Sequence, residues 1–198
     1  MHVVASPTHD PAVSSSVLRL DAIDLSFGGV HALSDVSLSI AAGEIRAVIG
    51  PNDAGKTTFF NLISGAFRPD SGRILFDGED IAGVSRSGIV RRGIGRAFQV
   101  ASIFPSLTGE EALMGKPSGL LLDEPSEGLA PLIVQRIGEL LRTLRDMGIT
   151  VLLAEQNMHF CLGIATEAAV IDKGQIVYRD TITALRTNTE VKQRYFAL

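Results

Sequence analysis

The sequence predicts an α/β domain built on a largely parallel core sheet, and three observations carry the prediction. The first is Gly50-Pro51-Asn52-Asp53-Ala54-Gly55-Lys56-Thr57-Thr58, a glycine-flanked loop between a short apolar run at 44–49 and a helix-compatible stretch at 57–64. Strand, loop and helix in that order give the pattern G-x-x-x-x-G-K-[ST] the context it needs to hold phosphates. Backbone N–H groups of the loop and of the helix start face the anion, Lys56 adds a mobile positive charge, and the Thr57 hydroxyl suits Mg²⁺. The second is Gly119-Leu120-Leu121-Leu122-Asp123-Glu124-Pro125, an apolar strand ending in two carboxylates. A buried parallel strand delivers such groups to the sheet edge beside the phosphates, where Asp123 suits the Mg²⁺ shell and Glu124 can orient or deprotonate a water. Taken alone, the same stretch also reads as a strand with a polar end before a proline turn. The third is the alternation of strand and helix signals along the chain.

In chain order, residues 17–27 alternate loosely, with Leu18 and Leu20 followed after a slip of phase by Ile23, Leu25 and Phe27, as in a strand carrying a bulge. Gly28-Gly29 turns the chain, and Val36, Leu38 and Ile40 alternate with Asp35, Ser37 and Ser39 in a second strand, giving a hairpin. Phe27, at a strand end, is placed either to stack on an adenine ring or to pack in the core. After the loop helix, Arg68-Pro69-Asp70-Ser71-Gly72 is a turn, followed by a strand at 73–76 and a turn at Asp77-Gly78. A short helix at 85–92 carries Arg86, Arg91 and Arg92, which read as a solvated face. A strand at 94–98 leads to Gln99. Pro131 opens a helix to residue 147 with Ile133, Ile137, Leu140, Leu141 and Leu144 on one face, and Gly148 closes it. A buried strand at 150–154, a helix at 157–164, a hairpin turning at Lys173-Gly174 and a mixed-charge helix over 183–196 complete the chain.

Bulk properties narrow the class. The 198 residues suffice for one domain with a real core. A net charge of -4 argues against a nucleic-acid binder held by backbone electrostatics. One cysteine, Cys161, excludes an intrachain disulfide, points to the cytosol and reads as a small core hydrophobe. No apolar run approaches the roughly 18 to 20 residues that span a bilayer, so membrane association is expected only through partners. Residues 1–16, with Pro7, Pro11 and three serines, read as a disordered lead-in to a domain at 17–198.

These residues resemble the nucleotide-binding subunits of ABC transporters, nearest to the two ATPases of branched-chain amino acid importers. In that family Gly50 to Thr58 matches the Walker A loop, Gln99 the Q-loop, Asp123 and Glu124 the end of the Walker B strand, Phe27 the adenine-stacking aromatic, and Ser126-Glu127-Gly128-Leu129-Ala130-Pro131 the D-loop. The resemblance implies a P-loop NTPase ABC cassette with a mostly parallel core sheet, an antiparallel β subdomain and a truncated α-helical subdomain. It implies ATP and Mg²⁺ as ligands. The phosphates would lie against Gly50, Pro51, Asn52, Asp53, Ala54, Gly55, Lys56, Thr57 and Thr58, and the metal against Thr57, Gln99 and Asp123. Lys56, Gln99 and Glu124 would serve hydrolysis. It also implies transmembrane permease subunits and a second ATP-binding subunit as partners, no nucleic acid, and a peripheral place on the cytoplasmic face of a membrane.

Three departures qualify the match. The family's Leu-Ser-Gly-Gly-Gln segment is absent, and only 24 positions separate Gln99 from Asp123, where the family inserts a helical subdomain of several dozen residues. The join lies near residues 109–111. The sequence therefore implies nucleotide binding with little cooperative turnover unless a complete partner supplies the segment; a binding module without turnover and, further off, a non-transport ABC ATPase are the alternatives. Gln156 stands where many members have a γ-phosphate-contacting histidine, as in one branched-chain subtype; His159 is not given that role. Asp53 replaces a glycine, and a carboxylate pointing inward about 6 Å from a phosphate would cost about 3 kcal/mol at an effective dielectric near 20. Aspartate tolerates a positive φ there better than most residues.

Overall fold

Two sheets organise the protein in the computed structural model, which describes residues 16–97 and 117–196. The smaller is antiparallel. β1 (Ser16–Phe27) pairs with β2 (Val30–Ala41) across the Gly28-Gly29 turn, and on its other side with β4 (Ser71–Phe76), which pairs in turn with β5 (Glu79–Asp80). The slip of phase between Leu20 and Ile23 is a register shift in both ladders of β1, with Ala22 at φ 46°. The extra residue lets Leu20 and Ile23 face the same core although they are three apart.

The larger sheet has the order β10-β9-β3-β8-β7-β6. Its strands are β3 (Ile45–Ile49), β6 (Ile94–Ala97), β7 (Gly119–Asp123), β8 (Thr150–Glu155), β9 (Glu167–Asp172) and β10 (Gln175–Thr181). Only the β9–β10 pair is antiparallel; every other neighbouring pair is parallel. All five residues of β3 are buried, with Val48 in one core cluster and Ile45, Ala47 and Ile49 in the other. A strand buried on both faces is mostly apolar, and Arg46, the one charged residue of β3, is buried in an ion pair with Glu44.

Helices cover both faces. α1 (Lys56–Ile63) and α2 (Arg86–Arg91) share a core with the antiparallel sheet, and Phe59 and Phe60 of α1 are completely buried there. The opposite core is closed by α3 (Pro131–Asp146), α4 (Met158–Ile164), α5 (Ile182–Thr187) and α6 (Thr189–Phe196). Local chemistry sets the helix starts: Ser85, Asn157 and Thr181 accept hydrogen bonds from Gly88, Phe160 and Ala184 N–H, and Pro131 is the first residue of α3. Arg86, Arg91 and Arg92 are exposed, Arg92 against Glu79 at 3.3 Å, so the solvated-face reading holds. Cys161 is buried in the second core, and burial, then the Glu155 charge, pushes its thiol well above the usual range.

The structure departs from the sequence expectation at several places. β2 begins at Val30, not near 36, because residues 30–33 pair with β1 (Phe27 with Val30, Leu25 with Leu33) while presenting little apolar alternation. β5 is two exposed acidic residues with no sequence signal of a strand. The single helix expected over 183–196 is two helices, broken at Asn188, whose side chain accepts from Val191 N–H at 3.0 Å and so opens a new helix. Ser16, placed in the lead-in, is the first residue of β1 and pairs with Ala41; the rest of the lead-in lies outside the described residues. No helix among the described residues is long and apolar enough to cross a membrane.

Candidate functional site

Three parallel strands end side by side at one edge of the large sheet. Ile49 of β3 is opposite Glu155 of β8, and Asp123 of β7 is opposite Ala154 of β8. Gly50 N–H then donates to the Glu155 carbonyl at 3.2 Å and Glu124 N–H to the Ala154 carbonyl at 2.9 Å, so both loops leave the sheet tied to β8. Carboxyl ends of parallel strands are where open α/β sheets bind ligands.

The cleft there, about 340 Å³, is lined by Asn52, Asp53, Gly55, Lys56, Thr57, Thr58 and Glu124. Its floor is the start of α1, which has no side-chain cap and no acidic residue in its first turn. The first N–H groups of a helix have no partners within it and carry the positive end of its dipole, so an uncapped start beside a lysine suits a phosphate. Gly50 is required by packing: a Cβ would lie 2.3 Å from the Ile171 carbonyl oxygen.

Lys56 is 4% exposed and all its donors are used. Its ammonium donates to the carbonyls of Gly50 at 2.8 Å and Pro51 at 2.9 Å, and pairs with Glu124 Oε1 at 3.2 Å. The residue that the sequence assigned to the phosphates and the one it assigned to a water thus meet directly. Glu124 itself sits at φ 48°, a left-handed conformation that turns the chain sharply off β7. Glu127 lies beside it, and the hydrogen bond with Glu124, then that group's charge, holds the Glu127 carboxyl above the usual range.

Asp123 is also held. Arg96 of β6 donates from Nη2 to Asp123 Oδ2 at 2.9 Å, and from Nη1 to Asn61 Oδ1 at 2.7 Å and Ser64 Oγ at 2.8 Å. The guanidinium therefore joins β6, β7 and α1, and one oxygen of Asp123 is engaged by it. Sequence reasoning missed this clamp; the signal was Arg96 itself, the one charged residue of an otherwise uncharged strand. It also missed Glu155, a carboxylate 2% exposed at the end of β8.

Phe27 is not brought into the cleft lining. It stays 45% exposed and meets Phe67 edge-on, ring centroids 5.1 Å apart. It does not pack in the core, so an exposed aromatic remains at the β1–β2 turn. Gln99 and the join near 109–111 lie outside the described residues.

Asp53 is exposed on the cleft rim at φ 62°. The loop thus does require a positive φ here, and the carboxylate is solvated rather than buried. Asp53→Gly is expected to tighten ATP binding about three- to tenfold at low salt, the gain shrinking as salt screens the carboxylate. Titration calorimetry at two ionic strengths checks it, and equal dissociation constants would clear Asp53 of any influence.

Comparison with known proteins agrees with this geometry. The ABC transporter family model matches residues 33–158. A high-affinity branched-chain amino acid transport ATP-binding protein of Pseudomonas aeruginosa, BraG, is 34% identical over 230 aligned positions, spanning 90% of this chain and 99% of the relative. The lipopolysaccharide export system ATP-binding protein LptB of Haemophilus influenzae is 29% identical, over 91% of this chain and 97% of that one. Among solved structures, the ADP conformation of an ATP-binding cassette of an ABC transporter superposes with a TM-score of 0.80 at 24% identity, covering 90% of this chain and 97% of the other, a likeness of fold. A family match that spans both the 50–58 loop after β3 and the carboxylates Asp123 and Glu124 at the end of β7, with a relative 34% identical over 90% of the chain, places this chain in the ABC transporter family.

Proposed function

We propose that the chain is an ATP-binding subunit of an ABC importer, with branched-chain amino acids as the transported class. The observation that carries the reading is the Lys56 ammonium, seated on two loop carbonyls and Glu124 at the mouth of a cleft lined by residues of the 50–58 loop. A phosphate entering that cleft replaces these acceptors with its own oxygens and meets the uncapped start of α1. The fit extends to Mg²⁺: Thr57 lines the cleft and Asp123 keeps one oxygen that Arg96 does not engage, so Thr57, Asp123 and Gln99 would hold the ion, which neutralises phosphate charge. Glu124, released from Lys56, would polarise the attacking water. Phe27 would stack on the adenine.

The branched-chain class rests on the BraG likeness, while LptB, a lipopolysaccharide exporter's subunit, is also similar. By the same relationship the partners are permease subunits and a second ATP-binding subunit, and the place is the inner face of the cell membrane. The BraG alignment has 230 positions and the chain 198 residues, so at least 32 positions have no residue of this chain opposite them. That surplus supports a shortened helical subdomain, with its join near 109–111, and favours the second reading, nucleotide binding without turnover by the chain alone.

Calorimetric titration with MgATP tests the reading. The wild type is expected to bind, and Lys56→Ala to bind at least about tenfold more weakly, the loss of a charge-assisted contact. Equal affinity of the two proteins would remove the cleft from consideration.

A further inference from the structure

Glu155 does something the sequence motifs do not assign. It closes β8, is almost wholly buried, and has no Lys or Arg within ion-pair distance among the described residues. Backbone amides surround it instead. Oε1 accepts from Ser126 N–H at 2.9 Å, and Oε2 accepts from the N–H groups of Gln156 and Asn157, both at 3.1 Å. Its carbonyl accepts from Gly50 N–H, and Asn157 in turn caps α4. Burying a carboxylate without a cation is costly, and this one is retained by donors alone. Apolar packing would pin two helices or strands more cheaply. What Glu155 joins are loops: the start of the 50–58 loop, the segment after Glu124, and the turn bearing exposed Gln156. All three leave the same sheet edge, where the 50–58 loop and Glu124 line the cleft.

We propose that Glu155 is a positioning residue: its carboxylate holds the segment after Glu124 and the turn bearing Gln156 as one unit, set to meet the outermost phosphate of a bound nucleoside triphosphate. The inference rests on the nucleotide-binding reading above. Its chemistry is specific, because all three side-chain contacts are donors to oxygen. A glutamine would satisfy Ser126 but turn its NH₂ group toward the Gln156 and Asn157 amides, donor against donor. The inner phosphates, held by the loop and Lys56, would not register the change. A triphosphate would.

The test compares wild type, Glu155→Gln and Glu155→Asp in the full chain by two measurements. The first is amide hydrogen exchange without nucleotide. Exchange at Ser126, Gln156 and Asn157 is expected to rise about tenfold or more in Glu155→Gln. The second is calorimetry with MgADP and with a non-hydrolysable MgATP analogue. ADP affinity is expected to stay within about twofold while the triphosphate loses about tenfold, so the ratio of the two collapses. Glu155→Asp keeps the charge but falls short of the amides, is expected to give the same pattern at smaller amplitude, and carries both measurements if the glutamine variant does not fold. Unchanged exchange, or an equal loss for both nucleotides, overturns the proposal. A wild type that binds neither nucleotide overturns the functional reading instead, and exchange at the three amides then decides the role of Glu155 alone.

Discussion

Steady-state ATP hydrolysis by the purified chain alone is expected to run on the order of 10²-fold or more below that of an intact cassette pair. The family resemblance places ATP between the loop of one subunit and a Leu-Ser-Gly-Gly-Gln segment of the other, and no such segment occurs in these 198 residues. Two copies of the chain would therefore build two sites that each lack the same donors. Preorganised N–H groups aimed at developing charge act in a site closed to water, and each one removed costs about 10²-fold in rate. Binding is expected to depend on different groups. Lys56, the uncapped start of α1 and the cleft lining all belong to one chain. The expected signature is thus a clear calorimetric isotherm for MgATP with phosphate release near background. Adding a complete ATP-binding subunit is expected to restore turnover, since its segment would complete the site on this chain. Turnover at an intact importer's rate by the chain alone would defeat the prediction.

The sheet edge was legible because its two motifs are local. Gly50 to Thr58 and Gly119 to Glu124 each pack strand, turn and chemistry into one short stretch, and β3 and β7 lie where those stretches require. Sequence could not give partners across the sheet. Arg96 finds Asp123, Asn61 and Ser64 from separations of 27 to 35 residues, and Glu155 finds Ser126 from 29. Such contacts depend on strand order, which no single stretch encodes. The assignment of Lys56 to phosphate and Glu124 to water likewise gave no hint that the two pair with one another. Charged groups lining one cleft neutralise each other in the absence of a ligand, because an uncompensated buried ammonium is costly. The left-handed Glu124 and Asp53 were equally hidden: positive φ outside glycine is a property of the turn, not of the residue. The tail went wrong for a local reason, since Asn188 both stops one helix and caps the next.

Gly174→Ala is expected to destabilise the protein by about 2–5 kcal/mol, a large share of a typical ~5–15 kcal/mol total. Gly174, at the β9–β10 turn, sits at φ 75°, and a Cβ there would lie 2.3 Å from the Ala32 carbonyl oxygen and 2.9 Å from its carbon. Left-handed backbone costs an alanine roughly 1–2 kcal/mol, and forcing packed backbones apart adds about 1–3. The atoms in the way are main chain, so no side chain can swing aside. The contact also bears on the ligand loop. Gly174 N–H donates to the Ala54 carbonyl at 2.9 Å, and the Gly174 carbonyl accepts from Ser34 N–H at 2.9 Å, so the turn bridges the phosphate loop and β2. Moving it displaces Ala54, and MgATP affinity should fall together with stability. Gly78→Ala separates the two costs: its φ is 81° but no atom lies within 4 Å of the added Cβ, so it carries backbone strain alone. Chemical denaturation of both variants is the measurement, with Gly174→Ala expected to lose at least about 1 kcal/mol more than Gly78→Ala and to be the one that weakens nucleotide binding. Equal losses would mean that the seat against Ala32 yields freely, and that the loop does not depend on the turn behind it.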